Sequence, residues 1–297
     1  MLRAIDVVRS RFRKGVSAPT TIVDSTTMIH GMRFLKDDAE LALMRRAAEI
    51  SREAHVSAMK LTAPGRFEYE IDAELTRVFR SRGSERPAYE SICGSGPNAT
   101  ILHYRAGDRQ MADGELLLVD AGCELGSYAS DVTRTYPVNG RFSEPQRALY
   151  EITLDAQLAA IEATKPGTTL DAIHAITVKT LVTGMVRVGL LDGAVDDRIA
   201  DESYRKFYMH RTSHWLGMDV HDVGGHFVKG SPRTLEPRCV LTIEPGIYVA
   251  ADADVDPKWR GIGIRIEDDL VVTDTGSENL TAAIPKTIAD IEDVMRR

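Results

Sequence analysis

Two aspartates lie within the apolar stretch LLLVDAGCELGSYASDVTRTY, at positions where a core residue is expected. The stretch is predicted to form two strands joined by a tight turn around Leu125 and Gly126, because glycine adopts the positive φ that such turns need. This register places Asp120 opposite Asp131. Opposed residues hold their Cβ atoms about 4.5–5.5 Å apart, and like charges at that distance are destabilising. We therefore expect a cation beside the pair.

Two glutamates further along the chain also lie in apolar stretches. Glu244 interrupts the apolar stretch CVLTIEPGIYV, and Glu267 lies in the alternating stretch GIGIRIEDDLVVT. A single carboxylate in a strand usually faces solvent, but these strands resemble core strands. Buried carboxylates need cations, and Arg265 can serve only one of them. A pair of divalent metal ions, held about 3.5–4 Å apart by shared carboxylates, would serve all four.

Histidines cluster close to these acids in the sequence. His210, His214 and His221 lie in the stretch YMHRTSHWLGMDVHD, and His103 lies in NATILHY. A lone histidine is most often structural, but three within twelve residues indicate a site. Four oxygen ligands and one imidazole suit Mn²⁺, or a neighbour such as Co²⁺, better than a structural tetrahedral zinc.

Composition narrows the classes of protein to consider. The chain has 297 residues, a net charge of −7 and no concentrated basic stretch, which argues against a nucleic-acid partner. No apolar run approaches the roughly 20 residues of a membrane span, and residues 1–15 lack the apolar core of a signal peptide. Cys93, Cys123 and Cys239 are widely spaced, which indicates reduced thiols and a cytoplasmic location.

The predicted elements fall into two halves of similar plan. Each half has two helices separated by a Pro-Gly break, followed by strands, and this order predicts an α+β fold. The predicted helices span about 37–60, 69–82, 144–163 and 170–188, and the predicted strands about 88–93, 100–105, 115–123, 127–138, 213–221, 239–243 and 262–273.

These residues resemble the pita-bread metallopeptidases, family M24, over about residues 30–285. The resemblance implies an α+β pita-bread fold, which is a curved antiparallel β-sheet with helices on its outer face and two pseudo-symmetric halves. It implies two divalent metal ions, with Mn²⁺ expected and Co²⁺ as an alternative. The positions that match the five metal ligands of the family are Asp120 in VDAGCE, Asp131 in SDVTRT, His214 in SHWLGMDVHD, Glu244 in TIEPGIY and Glu267 in GIGIRIEDD.

The resemblance also implies a role for each residue. Asp131 and Glu267 would bridge both ions, Asp120 would chelate one ion, and His214 and Glu244 would complete the other. A metal-bridging hydroxide would attack the scissile carbonyl, with Glu244 as the proton shuttle.

Further residues would bind the substrate or orient the ligands. His103 and His221 would hold the substrate carbonyl and the tetrahedral oxyanion, and so act as catalytic and substrate-binding residues. His210 would line the substrate pocket. Arg265 and Tyr248 would orient the metal ligands.

The family also predicts the domain plan and the partners. Residues 1–35 resemble a linker and the remnant of an N-terminal domain, residues 36–285 the catalytic domain, and residues 286–297 a C-terminal tail. In the family the N-terminal domain contributes to oligomer contacts. We therefore expect a homo-oligomer, a dimer or tetramer, that is weakened if that domain is absent.

Three functions remain in competition at this point. The strings GSGPNATILHY and MHRTSHWLGMDVHDVG most resemble bacterial aminopeptidases P, which release the N-terminal residue from peptides with proline in second position. A prolidase, which cleaves Xaa-Pro dipeptides, is the near alternative. A non-catalytic pita-bread module that binds peptides or proteins is remoter, because such modules typically lose metal ligands and this chain keeps all five.

Overall fold

The computed structural model describes residues 1–296. The chain divides into two compact units, residues 1–32 and 33–297. No helix among the described residues is both long enough and apolar enough to cross a membrane. The helices are α1 Leu2–Arg9, α2 Thr26–Phe34, α3 Asp38–Leu61, α4 Glu68–Ser81, α5 Glu144–Ala163, α6 Leu170–Arg187, α7 Val195–Ala200 and α8 Ile288–Val294.

The strands pair in antiparallel fashion throughout the described residues. The helices and antiparallel sheets together confirm the α+β prediction. The strands are β1 Arg86–Pro87, β2 Ile92–Ser95, β3 Leu116–Asp120, β4 Cys123–Leu125, β5 Tyr128–Ala129, β6 Thr133–Pro137, β7 Phe227–Val228, β8 Ser231–Pro232, β9 Val240–Ile243, β10 Gly246–Val249, β11 Ile262–Arg265, β12 Asp268–Val272 and β13 Ser277–Asn279.

Local sequence signals explain where the long helices begin. In α3 the Asp37 side chain accepts from the Glu40 backbone N–H, and the Glu40 side chain accepts from the Asp37 N–H. This reciprocal capping box satisfies two donors that the helix start would otherwise leave unpaired. One face of α3 is buried and includes Leu41, Met44, Ala48 and Ser51.

Each half of the larger unit places a helix pair beside its strands. In the first half, α3 and α4 pack together and contact the β-strands that follow them, with β3 lying between β2 and β6. In the second half, α5 packs on α6, and β12 lies between β9 and β13. Within the predicted C-terminal tail, Ile288–Val294 form α8, and its Ile291 is buried in the main core.

The predicted register of the first hairpin is wrong. Gly126 and Ser127 both have positive φ, 58° and 68°, and Leu125 pairs with Tyr128. Positive φ at both central residues defines a type I′ turn, so the turn is centred one residue later than predicted. Asp120 therefore pairs with Thr133, and Asp131 lies diagonally from Asp120 on the same face rather than opposite it.

In the second half, Glu244 and Glu267 are the acids that lie opposite each other. Ile243 pairs with Asp268 and Gly246 pairs with Arg265, so the register is the same on both sides of an interruption. Extended through the interruption, this register places Glu244 opposite Glu267. The predicted continuous strand 262–273 is thus broken at Glu267, in the same way that β9 ends before Glu244.

Two further predicted strands are wrong. Residues 100–105 follow a short 3-10 helix, Gly96–Thr100, and form no strand. Residues 213–221 form no strand beyond one bridge between Trp215 and Leu241. Both segments are loops that carry histidines. Successive side chains of a strand point to opposite faces of the sheet, whereas a loop can direct neighbouring side chains to the same side.

Close backbone approach makes Gly263 of β11 a sensitive position. A Cβ atom there would lie 2.0 Å from the Ala99 carbonyl oxygen, whereas a Cβ at Gly276 would meet nothing within 4 Å. We expect Gly263→Ala to lower the free energy of unfolding by about 1–3 kcal/mol, because backbone cannot move aside as a flexible side chain can. Gly276→Ala is the matched control, expected within about 0.5 kcal/mol of wild type. Urea unfolding measures both, and equal losses in the two variants would contradict the expectation.

Candidate metal centre

The predicted acids and histidines converge on one cavity of about 590 Å³. The four acids Asp120, Asp131, Glu244 and Glu267 lie at or near the ends of strands, and their side chains line the cavity. Ligand atoms of Asp131, His214 and Glu267 lie within 4.8 Å of one another. The lining residues that the sequence predicted are His103, Asp120, Asp131, His210, His214, His221, Glu244, Arg265 and Glu267.

His214 presents one ring nitrogen to the acids. Its Nδ1 lies 3.0 Å from the Trp215 carbonyl oxygen, which can only accept, so Nδ1 carries the proton of the neutral ring. Its Nε2 lies 3.3 Å from Asp131 Oδ2 and 3.6 Å from Glu244 Oε1. Burial alone would lower the pKa of His214, but the hydrogen bond to Asp131 and the charge of Glu244 outweigh burial and raise that pKa to about 9. Without a metal ion, Nε2 thus holds a proton among the carboxylates.

The two glutamates are poorly compensated. Burial raises the pKa of the Glu244 carboxyl to about 7, against the attraction of His214. Burial and the nearby Asp131 raise the pKa of Glu267 well above its ordinary range. The Thr133 hydroxyl donates to Glu267 Oε2 at 2.6 Å, which fixes the orientation of that carboxylate.

A chain of hydrogen bonds runs from Asp120 to the cavity wall. Arg265 donates from Nη2 to Asp120 Oδ2 at 2.6 Å and from Nη1 to the Tyr248 hydroxyl at 3.0 Å. That hydroxyl lies 2.9 Å from His210 Nε2, and His210 Nδ1 lies 2.8 Å from the Arg211 carbonyl oxygen. Nδ1 must donate to the carbonyl, so Nε2 accepts from Tyr248. Burial and the charge of Arg265 lower the pKa of His210 to about 3, which keeps the ring neutral.

Two histidine-bearing loops border the cluster. The His221 ring lies edge-on to the His214 ring, with centroids 4.4 Å apart. His103 follows the 3-10 helix and lines the same cavity. Its loop is anchored by the buried Glu68, which accepts from the Ser95 backbone N–H at 2.6 Å and from the Asn98 amide at 3.1 Å.

Three residues at the site were not predicted from the sequence, namely Tyr89, Asp269 and Ser213. The Tyr89 hydroxyl lies 2.7 Å from Asp120 Oδ1 and 2.5 Å from Asp131 Oδ1. The buried Asp269 carboxylate accepts from the Asp131 backbone N–H at 3.1 Å. The Ser213 hydroxyl is buried at the cavity and makes no hydrogen bond within the described residues. Of these three residues, only Asp269 left a signal, as the last of three consecutive acids that begin at Glu267 in an apolar stretch.

The donor set fits divalent metal ions. It combines several carboxylates with one imidazole nitrogen, which is the ligand chemistry of hard to borderline cations. Burial raises the pKa values of Glu244 and Glu267, and it raises that of Asp120 even though Asp120 is paired with Arg265, so all three carboxylates lack full compensation. Divalent cations would neutralise these carboxylates near neutral pH without requiring them to be protonated.

The metal-free protein is expected to lose stability between pH 7 and pH 8. The pKa of His214 is about 9 in the folded chain against the ordinary 6.5, so the folded state keeps a proton that the unfolded chain releases. This contribution is fully present below pH 6.5 and is lost as the pH rises through 9. One such proton corresponds to about 1 kcal/mol per pH unit in this window.

Urea unfolding at pH 7 and pH 8 measures this dependence in chelator-treated protein and with saturating Mn²⁺. Metal takes the place of the proton, so the loss should shrink or reverse in the loaded protein. The same pH dependence with and without metal would contradict the assignment. Histidines with lowered pKa values, such as His210, are deprotonated in both states above pH 7 and do not contribute.

Comparison with known proteins agrees with this geometry. The sequence pattern of metallopeptidase family M24 matches residues 42–274. Xaa-Pro aminopeptidase of Escherichia coli is 46% identical over 98% of this chain and 66% of its own length. The chain thus spans about two thirds of the length of that relative.

Solved structures superpose closely on the fold. Aminopeptidase PepP of Pseudomonas aeruginosa matches with a TM-score of 0.97 and 51% identity, over 99% of this chain and 67% of that one. A glutamate-to-alanine variant of Escherichia coli aminopeptidase P in complex with substrate matches with a TM-score of 0.96 and 46% identity, over 98% of this chain and 66% of that one. These matches confirm the pita-bread fold and the resemblance drawn from the motifs. The chain belongs to metallopeptidase family M24.

Proposed function

We propose that the chain is a dinuclear metal-dependent aminopeptidase that releases the N-terminal residue from peptides with proline in second position. The observation that carries the proposal is the buried cluster of Asp131, His214 and Glu267 at the floor of a cavity that His103 and His221 also line. The 46% identity to an Xaa-Pro aminopeptidase over nearly the whole chain supports the same reaction.

The proposed metal ligands are those of the sequence analysis, namely Asp120, Asp131, His214, Glu244 and Glu267. Two divalent ions bound there would lower the pKa of a water molecule and polarise the scissile carbonyl. Manganese is the proposed ion, because oxygen ligands outnumber the single imidazole. The free, buried thiols of the three cysteines support a reducing, cytoplasmic location.

We propose that two imidazoles bind the reacting carbonyl. His221 lies against His214, and His103 lines the cavity from the opposite half of the fold. Their N–H groups would donate to the substrate carbonyl and to the oxygen that gains negative charge as water adds. Donors that are held in place before the reaction stabilise this charge more than the ground state.

Glu244 is suited to carry the proton between water and leaving group. Its Oε1 lies 3.6 Å from His214 Nε2 and it lines the same cavity, so the carboxylate would lie within reach of a water molecule bound there. A Glu244 carboxylate oxygen would take the proton from the attacking water and give it to the proline nitrogen. The C–N bond then breaks, and a free N-terminal residue and a peptide beginning with proline leave the site.

The test is hydrolysis of Ala-Pro-Ala by chelator-treated protein with and without added Mn²⁺. We expect metal-dependent release of alanine. Asp131→Asn should lose both turnover and metal uptake, because it weakens a shared ligand, whereas the exposed Asp252→Asn should match wild type. Metal uptake without release from any Xaa-Pro peptide would refute the proposal, and release from Ala-Pro alone would identify a dipeptidase.

His221→Ala is expected to lower kcat by about 10²–10³ while metal content stays at the wild-type value. The reason is that a donor to the developing oxyanion is lost and no metal ligand is changed. Steady-state kinetics and metal analysis of the same preparation measure both quantities. An unchanged kcat would remove His221 from the reaction.

A further inference from the structure

A buried ion pair lies directly behind His221. The neighbouring Asp222 has a side chain with no exposed surface, and its Oδ2 accepts from Lys36 Nζ at 2.9 Å. The Lys36 side chain is 1% exposed. Asp222 Oδ1 accepts from Arg33 Nη2 at 2.6 Å, and the same nitrogen donates to Asp219 at 2.6 Å. The short segment 33–36 thus contributes two cations to the loop that carries His221.

The segment that supplies the cations is itself held in place. The Lys36 backbone N–H donates to the Arg238 carbonyl oxygen at 3.0 Å, and Arg238 Nη1 donates to the Lys36 carbonyl oxygen at 3.1 Å. Burying a lysine and an aspartate costs several kcal/mol per ion unless the geometry compensates. Well-packed hydrophobic residues of similar volume are often at least as stabilising as such a pair, so stability alone does not explain it.

Backbone hydrogen bonds hold the loop 215–222 that carries His221 and Asp222. The Asp222 backbone N–H donates to the Trp215 carbonyl oxygen at 2.9 Å, and the Gly217 carbonyl oxygen accepts from the Ala129 N–H at 2.8 Å. A Cβ atom on Gly217 would lie 2.1 Å from Asp222 Oδ2 and 2.8 Å from Lys36 Cε. The φ of Gly217 is not positive, so closeness of the ion pair, and not backbone conformation, explains this glycine.

We propose that Asp222, held by Lys36 and Arg33, is the positioning residue for His221. The pair fixes the loop 215–222 so that the His221 ring stands edge-on to His214 and its N–H reaches the reacting carbonyl. This inference rests on the proposed function, because it assigns His221 to that reaction. It also makes segment 33–36, at the border of the predicted linker, part of the support of the active site.

A double-mutant cycle with His221 tests this role. Asp222→Asn removes the charge that Lys36 and Arg33 hold, and we expect it to lower kcat at least tenfold with a smaller change in KM and unchanged metal content. In the His221→Ala background the same change should cost less than twofold, because the group that Asp222 positions is gone. The same loss in both backgrounds, or no loss in the wild-type background, would overturn the proposal.

A second variant tests the same role in case Asp222→Asn does not fold. Arg33→Met leaves the buried Lys36 pair intact and removes a side chain that is 23% exposed. We expect a loss of kcat of about threefold or more in the wild-type background and none in His221→Ala. The matched control is Arg45→Met, which breaks an exposed pair with Glu278 and should leave kcat unchanged.

The His221 imidazole signal separates this inference from the proposed function. In ¹³C-histidine-labelled protein, the signal that disappears in His221→Ala should shift or broaden in Asp222→Asn and Arg33→Met, and not in Arg45→Met. This readout does not require turnover. If wild type fails to cleave any Xaa-Pro peptide, the proposed function is wrong, while an unperturbed His221 signal in folded Asp222→Asn or Arg33→Met would overturn the positioning role by itself.

Discussion

Repulsion between buried carboxylates is the constraint around which the larger unit is organised. Glu244 and Glu267 are opposed across a broken strand pair, and Asp131 adds a third carboxylate within reach of the same imidazole. Isolated, such a group of charges would favour unfolding or protonation. The fold retains it because each acid lies at a strand end, where its side chain can leave the ladder and meet a cation, a hydroxyl or an imidazole.

The two halves of the fold meet at these acids. The Glu267 backbone N–H donates to the Thr133 carbonyl oxygen at 3.0 Å, and the fully buried Arg134 donates to the carbonyl oxygens of Thr133 and Glu267. Arg134 is paired in turn with the buried Asp268 at 2.6 Å. One guanidinium therefore fixes the backbone on both sides of the junction. The metal centre depends on this junction as much as on its ligands, because a shift of either half would separate Asp131 from Glu267.

The sequence predicted which residues meet at the cavity better than it predicted the strands that carry them. Acids in apolar stretches identified Asp120, Asp131, Glu244 and Glu267, since burial of charge is a strong signal that does not depend on register. The hairpin register failed because Ser127 adopts a positive φ that its type does not suggest. The opposed pair is therefore Glu244 and Glu267, and not Asp120 and Asp131 as the predicted register implies. Tyr89 could not have been found, because its contacts come from strand pairing that the sequence does not encode locally.

The hydrogen-bond chain that ends at His210 determines what that residue can offer a peptide. Nδ1 donates to the Arg211 carbonyl and Nε2 accepts from Tyr248, so both ring nitrogens are occupied and the ring is neutral. The ring therefore has no free nitrogen to offer to the cavity. A wall of this kind leaves an ordinary peptide N–H without a partner, which is costly, whereas proline has no N–H to leave unsatisfied. Under the proposed function, a side chain whose hydrogen-bonding groups are already satisfied inside the protein would favour an imino acid at this position of the peptide.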